Sequence, residues 1–128
     1  LRLTEDQVHL VGTVPSQKLA DYYGCATCLV MPSLYEGFGL PALEAMACGT
    51  PVVVSNVSSL PEIVGDTGLQ VNPEDVEGLA EALARLLADH ELRRKLGQMA
   101  LRRSATFSWD RTARETLSVY KRAVSASR

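Results

Sequence analysis

Pro32-Ser33-Leu34-Tyr35-Glu36-Gly37-Phe38-Gly39-Leu40-Pro41-Ala42-Leu43-Glu44-Ala45-Met46-Ala47-Cys48-Gly49-Thr50-Pro51 is the stretch that decides the fold. Just before it, Cys28 to Met31 is a short apolar run suited to a buried strand. Pro32, Gly37 and Gly39 break that run. Pro41 fits the first turn of a helix, where its missing N–H costs nothing, and Leu43, Met46 and Ala47 supply an inner face. Gly49 followed by Pro51 ends the helix, and Val52 to Val54 starts the next strand. The result is a strand–loop–helix–strand unit of an open parallel sheet, which places the chain in the α/β class.

This local geometry has chemical consequences. The unpaired N–H groups at the helix start near Leu40, together with the positive end of the helix dipole, form an anion site best suited to phosphate. Gly37 and Gly39 let backbone approach a ligand without a Cβ in the way. Glu36 lies in the loop ahead of that site and Glu44 roughly one turn into the helix. Carboxylates are poor phosphate ligands but good acceptors for paired hydroxyls, such as those of a ribose or a sugar ring. A nucleotide-sugar meets all three requirements. A purely structural account stays open beside it, with Glu44 complementing the dipole of its own helix and Glu36 a solvated loop acid.

With 128 residues there is room for one domain with a real core. A net charge of −2 offers no general attraction to nucleic acid or to an anionic membrane. No apolar run approaches the ~20 residues that span a bilayer, and there is no signal-peptide pattern. The chain begins at Leu1 in what reads as mid-domain text, so a fragment of a longer protein is expected. Three cysteines cannot all pair internally. Cys25 and Cys28 form a C-x-x-C, but no second pair exists and His9 and His90 lack ligand spacing. Three buried or half-buried thiols, Cys48 included, in a reducing cytoplasm are the preferred reading over metal or redox chemistry.

Taken in order, Val8 to Gly12 reads as a first strand, and Ser16 as the N-cap of a helix through about Tyr23 with Leu19, Tyr22 and Ala26 toward the sheet. Tyr22 and Tyr23 read as packing residues. Ser59 caps a short helix from Pro61 to Val64, with Glu62 completing a capping box and Gly65 stopping the helix. Gly68 to Val71 reads as a fourth strand. Asp75 or Glu74 opens an amphipathic helix carrying Val76, Leu79, Ala80, Leu83, Leu86 and Leu87. A helix from His90 to about Arg103 turns Leu92, Leu96 and Met99 inward. Its basic residues read as a solvated face, not a nucleic-acid site. Ser108 caps a last helix expected to bury Trp109, Ala113, Leu117, Tyr120 and Val124.

The stretch from Pro32 to Pro51 resembles the E-x7-E segment of retaining GT-B glycosyltransferases, the large group related to sucrose and glycogen synthases, and the similarity continues through most of the chain. The resemblance implies a Rossmann-like open parallel sheet of about four strands here, with residues 1–128 forming part of the C-terminal, nucleotide-sugar-binding domain. Carried over, Glu36 contacts hydroxyls of the donor sugar and assists the transfer. Glu44 takes the ribose hydroxyls. The glycine loop at Gly37, with the amides of Phe38, Gly39 and Leu40, meets the diphosphate or sugar, and Gly12 lies near the base. The loop at Ser55 to Ser59 falls near the donor sugar, which adds ligand roles for Ser58 or Glu62.

The implied reaction moves a hexose-type sugar from a UDP-, GDP- or ADP-sugar with retention of configuration and without a bound metal. The implied acceptor is a sugar, lipid or small molecule bound through an N-terminal domain that this sequence does not contain. The implied location is cytoplasmic, with that domain the one route to peripheral membrane attachment. The Phe107-Ser108-Trp109 start resembles the family's closing helix, which packs back toward the N-terminal domain. An Arg/Lys pair for the diphosphate belongs to upstream strands outside this sequence, so the isolated chain is expected to be inactive. Family sheets run 3-2-1-4-5-6, which separates the Val8 strand from the Cys28 strand by two strands absent here. The unpaired edges are adhesive, so the sheet is expected to rearrange, to associate with another copy, or to come from a longer polypeptide. Two alternatives accompany this reading: an epimerase or phosphorylase of the same fold, and a non-catalytic nucleotide-sugar-binding fragment.

Overall fold

The computed structural model describes residues 3–4 and 6–126. Strands β1 (Leu29–Met31), β2 (Val52–Ser55) and β3 (Leu69–Val71) form a parallel sheet in the order β1-β2-β3. Leu29 pairs with Val52 and Val53 with Leu69, which sets the register. The helices are α1 (Ser16–Cys25), α2 (Leu40–Ala47), α3 (Leu60–Val64), α4 (Val76–Ala88), α5 (His90–Ser104) and α6 (Trp109–Ala126).

All four residues of β2 are buried, as a parallel strand covered on both faces requires. On one face Val52 and Val54 pack with Ala42 and Met46 of α2, Leu60 and Ile63 of α3, and Ala100 of α5. On the other, Val53 packs with Leu86 of α4 and Leu96 of α5. Helix α5 therefore serves both clusters. It can do so because Gly97 lies directly against the turn that ends α2: a Cβ at Gly97 would overlap the Gly49 carbonyl oxygen.

The helix ends use the expected chemistry in part. Asp75 accepts from the Gly78 amide (2.9 Å) and Asp89 from the Leu92 amide (2.8 Å), so each caps its helix. Arg93 returns from α5 to donate to the Leu86 and Leu87 carbonyls at 2.5 and 2.8 Å, satisfying the last turn of α4. Ser108 accepts from the Arg111 amide (3.2 Å) at the start of α6. Ser16 is not a cap. It is the first helical residue, Pro15 holds the cap position, and no side chain caps α1.

Four expectations are corrected. Val8 to Gly12 forms no strand, leaving three strands among the described residues, because neither edge of the sheet pairs with it. It lies in water instead, with Leu10 95% exposed. Helix α6 carries its apolar stripe but buries none of it, since no described element lies over it and Trp109 is 80% exposed. Helix α2 buries Ala42, Ala45 and Met46, an i, i+3, i+4 set, and leaves Ala47 exposed. In α1 it is Tyr23 that packs against the core, whereas Tyr22 and Ala26 are exposed.

Replacing Gly97 tests the α2–α5 contact. A helical Gly→Ala change ordinarily gains up to about 1 kcal/mol. Here the new methyl meets a backbone carbonyl, and Gly97→Ala is expected to lose about 1–3 kcal/mol in urea unfolding. An unchanged or raised midpoint contradicts the packing described.

Candidate functional site

The loop between β1 and α2 is tied down by hydroxyls from the end of β2 and the chain that follows it. Ser55, fully buried, donates to the Ser33 carbonyl (2.6 Å). Ser58 accepts from the Glu36 amide (3.1 Å) and donates to the Glu36 carbonyl (2.6 Å). Ser59 donates to the Phe38 carbonyl (2.8 Å) and lies 3.1 Å from that of Glu36. Ser58 adopts φ 62°, a left-handed backbone that costs a non-glycine residue about 1–2 kcal/mol. Its two bonds to Glu36 offset that strain. The Glu36 side chain is half-buried, and its Oε1 accepts from the Ser33 hydroxyl (2.8 Å).

Helix α2 begins at this strapped loop. Gly39 occupies the cap position with φ 104° and its carbonyl accepts from Ala42 and Leu43 at 3.1 and 3.2 Å. The Leu40 amide finds no acceptor among the described residues, and Pro41 brings no N–H. The helix start therefore presents a donor and a dipole end next to a loop that is held in shape. Glu44 follows on the exposed side of α2, where its Oε2 accepts from the Tyr23 hydroxyl at 3.1 Å. Burial, then the bond to Glu44, then the negative charges of Glu44 and Cys48 push the Tyr23 phenol up to about 12. Thr50 fixes Tyr23 from behind by donating to its carbonyl at 2.6 Å.

Aromatic contacts extend the loop toward the last helix. The Phe38 ring meets Phe107 edge-on, centroids 6.3 Å apart. The Arg103 guanidinium lies 6.0 Å over Phe107 and donates to the Ile63 and Glu62 carbonyls at 2.6 Å each, which satisfies the end of α3.

Glu36, Gly37, Phe38, Gly39, Leu40 and Glu44 thus gather at one loop–helix junction, as the sequence suggested. Gly12, in the exposed segment before α1, has φ 68° and no described hydrogen bond to that junction. The two loop glycines are not equivalent. A Cβ on Gly39 would sit 2.6 Å from Leu60 Cδ2, so this position is glycine for packing and for its positive φ, whereas Gly37 faces open space. The Ser59–Glu62 capping box does not form, because the Ser59 hydroxyl is spent on the loop carbonyls. Tyr23, Ser33 and the serine strap were not anticipated; the run of serines from Ser55 to Ser59 was the one available signal. The three cysteines are free; Cys28 and Cys48 are half-buried as expected, whereas Cys25, the last residue of α1, is exposed, and burial raises the Cys28 thiol against the opposing charge of Arg93.

The profile of the family described as glycosyl transferases group 1 matches residues 2–103. The chain is 44% identical over 117 residues to the O-antigen chain mannosyltransferase B of Escherichia coli, covering 91% of this chain and 31% of that protein. It is 43% identical over 123 residues to the MMP alpha-(1->4)-mannosyltransferase of Mycolicibacterium hassiacum, covering 93% and 30%. The chain spans about a third of the length of these two relatives. Among solved structures, sucrose-phosphate synthase from Thermosynechococcus elongatus matches with a TM-score of 0.84 and 42% identity over 95% of this chain and 31% of that one. The C-terminal domain of a group 1 family glycosyl transferase from Francisella tularensis matches with a TM-score of 0.71 and 33% identity over 80% and 54%.

Two outcomes test this geometry. Gly39→Ala is expected to cost about 1–3 kcal/mol, since it combines a positive φ with the Leu60 overlap; unfolding at wild-type stability contradicts it. Tyr23 is an acid whose folded value, about 12, exceeds its ordinary 10.0, so its contribution to stability is full below pH 10 and fades as pH rises through 12. Absorbance titration is expected to reveal a late-ionising phenol that Tyr23→Phe removes, and a titration that the substitution leaves unchanged contradicts the placement.

Proposed function

Since the chain belongs to the glycosyl transferases group 1 family, we propose that residues 1–128 are a single donor-binding unit of a longer glycosyltransferase. The observation that carries this reading is the junction at the start of α2, where an amide unpaired among the described residues and a helix dipole lie, along the chain, between two carboxylates, Glu36 and Glu44. The ligand is a nucleoside-diphosphate-sugar. Its diphosphate meets the amides of Phe38, Gly39 and Leu40. Its ribose hydroxyls donate to Glu44, and hydroxyls of the sugar donate to Glu36. The base lies toward Gly12. Two relatives bear the name mannosyltransferase, which favours a hexosyl donor.

In the reaction the bond between the sugar's anomeric carbon and the diphosphate breaks as a bond to the acceptor oxygen forms, with retention of configuration and without a metal, and the acceptor hydroxyl's proton passes to the departing diphosphate. Glu36 assists through the sugar hydroxyls. Charge developing on the departing diphosphate is stabilised by the helix-start amides and by basic groups outside this chain. The acceptor, a sugar, lipid or small molecule, binds on an N-terminal domain beyond these residues, so the isolated chain binds donor without turning it over. No helix among the described residues is long and apolar enough to cross a membrane.

In the full-length protein, Glu44→Ala is expected to weaken binding of one of UDP, GDP or ADP by about 1–3 kcal/mol in calorimetry, the value of a charge-assisted hydrogen bond. Glu36→Ala is expected to reduce turnover more than nucleotide affinity. Equal and negligible effects at both positions contradict the proposal.

A further inference from the structure

We infer that Tyr23 is a positioning residue for the ribose end of the donor site, its phenol holding the Glu44 carboxylate ready for paired hydroxyls. This rests on the nucleotide site proposed above. Glu44 stands on the exposed side of α2, where no packing fixes its side chain. A free glutamate there samples several rotamers and loses that freedom when a ligand arrives. The Tyr23 hydroxyl, donating to Oε2 at 3.1 Å, orders the carboxylate beforehand. Ordering before binding raises affinity without adding any contact to the ligand.

Tyr23 is itself held. Its ring packs against the β2 core cluster, and its carbonyl accepts from buried Thr50 (2.6 Å) and from the Ala26 amide (3.0 Å). The bond consumes one of the roughly four acceptor positions of a carboxylate, so the others remain for two ligand hydroxyls. The phenol also stays protonated, and so remains a donor, throughout the neutral range. Its neighbour Tyr22 is half exposed and makes no bond to Glu44, so the role falls on one of two adjacent tyrosines.

The alternative is that the bond merely tethers α1 to α2. Calorimetry on the full-length protein separates the two, using UDP, GDP and ADP with their 2′-deoxy counterparts. Tyr23→Phe keeps the packed ring and removes the hydroxyl. It is expected to weaken the preferred ribonucleotide about three- to tenfold, the span of one ordinary hydrogen bond. The 2′-deoxy analogue, lacking a hydroxyl that Glu44 receives, is expected to show little of that penalty. Donor KM is expected to rise with kcat unchanged. Should Glu44→Ala weaken binding while Tyr23→Phe does not, or does so equally for both sugars, Tyr23 is a tether, and the inference falls while the nucleotide site stands. If Glu44→Ala changes nothing for any nucleotide, both fall together.

Discussion

Four consecutive residues of β2 lie out of water, so helices must cover both faces of that strand, and from this requirement the rest of the described fold follows. Val52 and Val54 call for α2 and α3 on one side, and Val53 for α4 on the other. Helix α5 reaches both clusters only because Gly97 lets it approach the backbone of the Gly49 turn. The same burial shapes the site. Ser55, the last residue of β2, cannot leave its hydroxyl unpaired in the interior, and it donates to the Ser33 carbonyl. The chain beyond it turns through the left-handed Ser58 and delivers two more hydroxyls to the loop around Glu36. The loop of the candidate site is thus held mostly from outside itself, by buried Ser55 and by Ser58 and Ser59 beyond it, while Ser33 within the loop holds the Glu36 carboxylate.

Most of this fold could be read from the sequence wherever local chemistry and final packing agree. The apolar runs at Cys28 to Met31, Val52 to Val54 and Gly68 to Val71 became the three strands with small shifts at their ends. Pro41 with Gly49, and Asp75 as a cap, bounded helices for the reasons expected. Reading failed where the outcome depends on a partner. A strand pattern at Val8 to Gly12 needs a neighbouring edge, and the stripe of α6 needs a covering surface; the described residues give neither. Ser59 failed for a different reason, competition: a hydroxyl that could cap its own helix instead serves carbonyls more than 20 residues away.

The candidate site divides the same way. Its loop and both acids were legible because they lie within one short stretch. Tyr23 was not, because it meets Glu44 across 21 positions of sequence and looks like an ordinary packing residue. Gly39 was singled out for close approach to a ligand, and the structure adds a packing role, since its missing Cβ makes space for Leu60. The family match ends at residue 103, just before Phe107 brings its ring to Phe38. Phe107, two residues before the exposed α6 begins, is thus in contact with the loop of the candidate site.

The donor site at the start of α2 is tested most directly by a crystal structure of the full-length protein grown with its preferred nucleoside diphosphate. The diphosphate is expected against the amides of Phe38, Gly39 and Leu40, with the ribose hydroxyls on Glu44 and the Tyr23 bond retained. A nucleotide bound elsewhere, or bound here with its ribose turned away from Glu44, would contradict it.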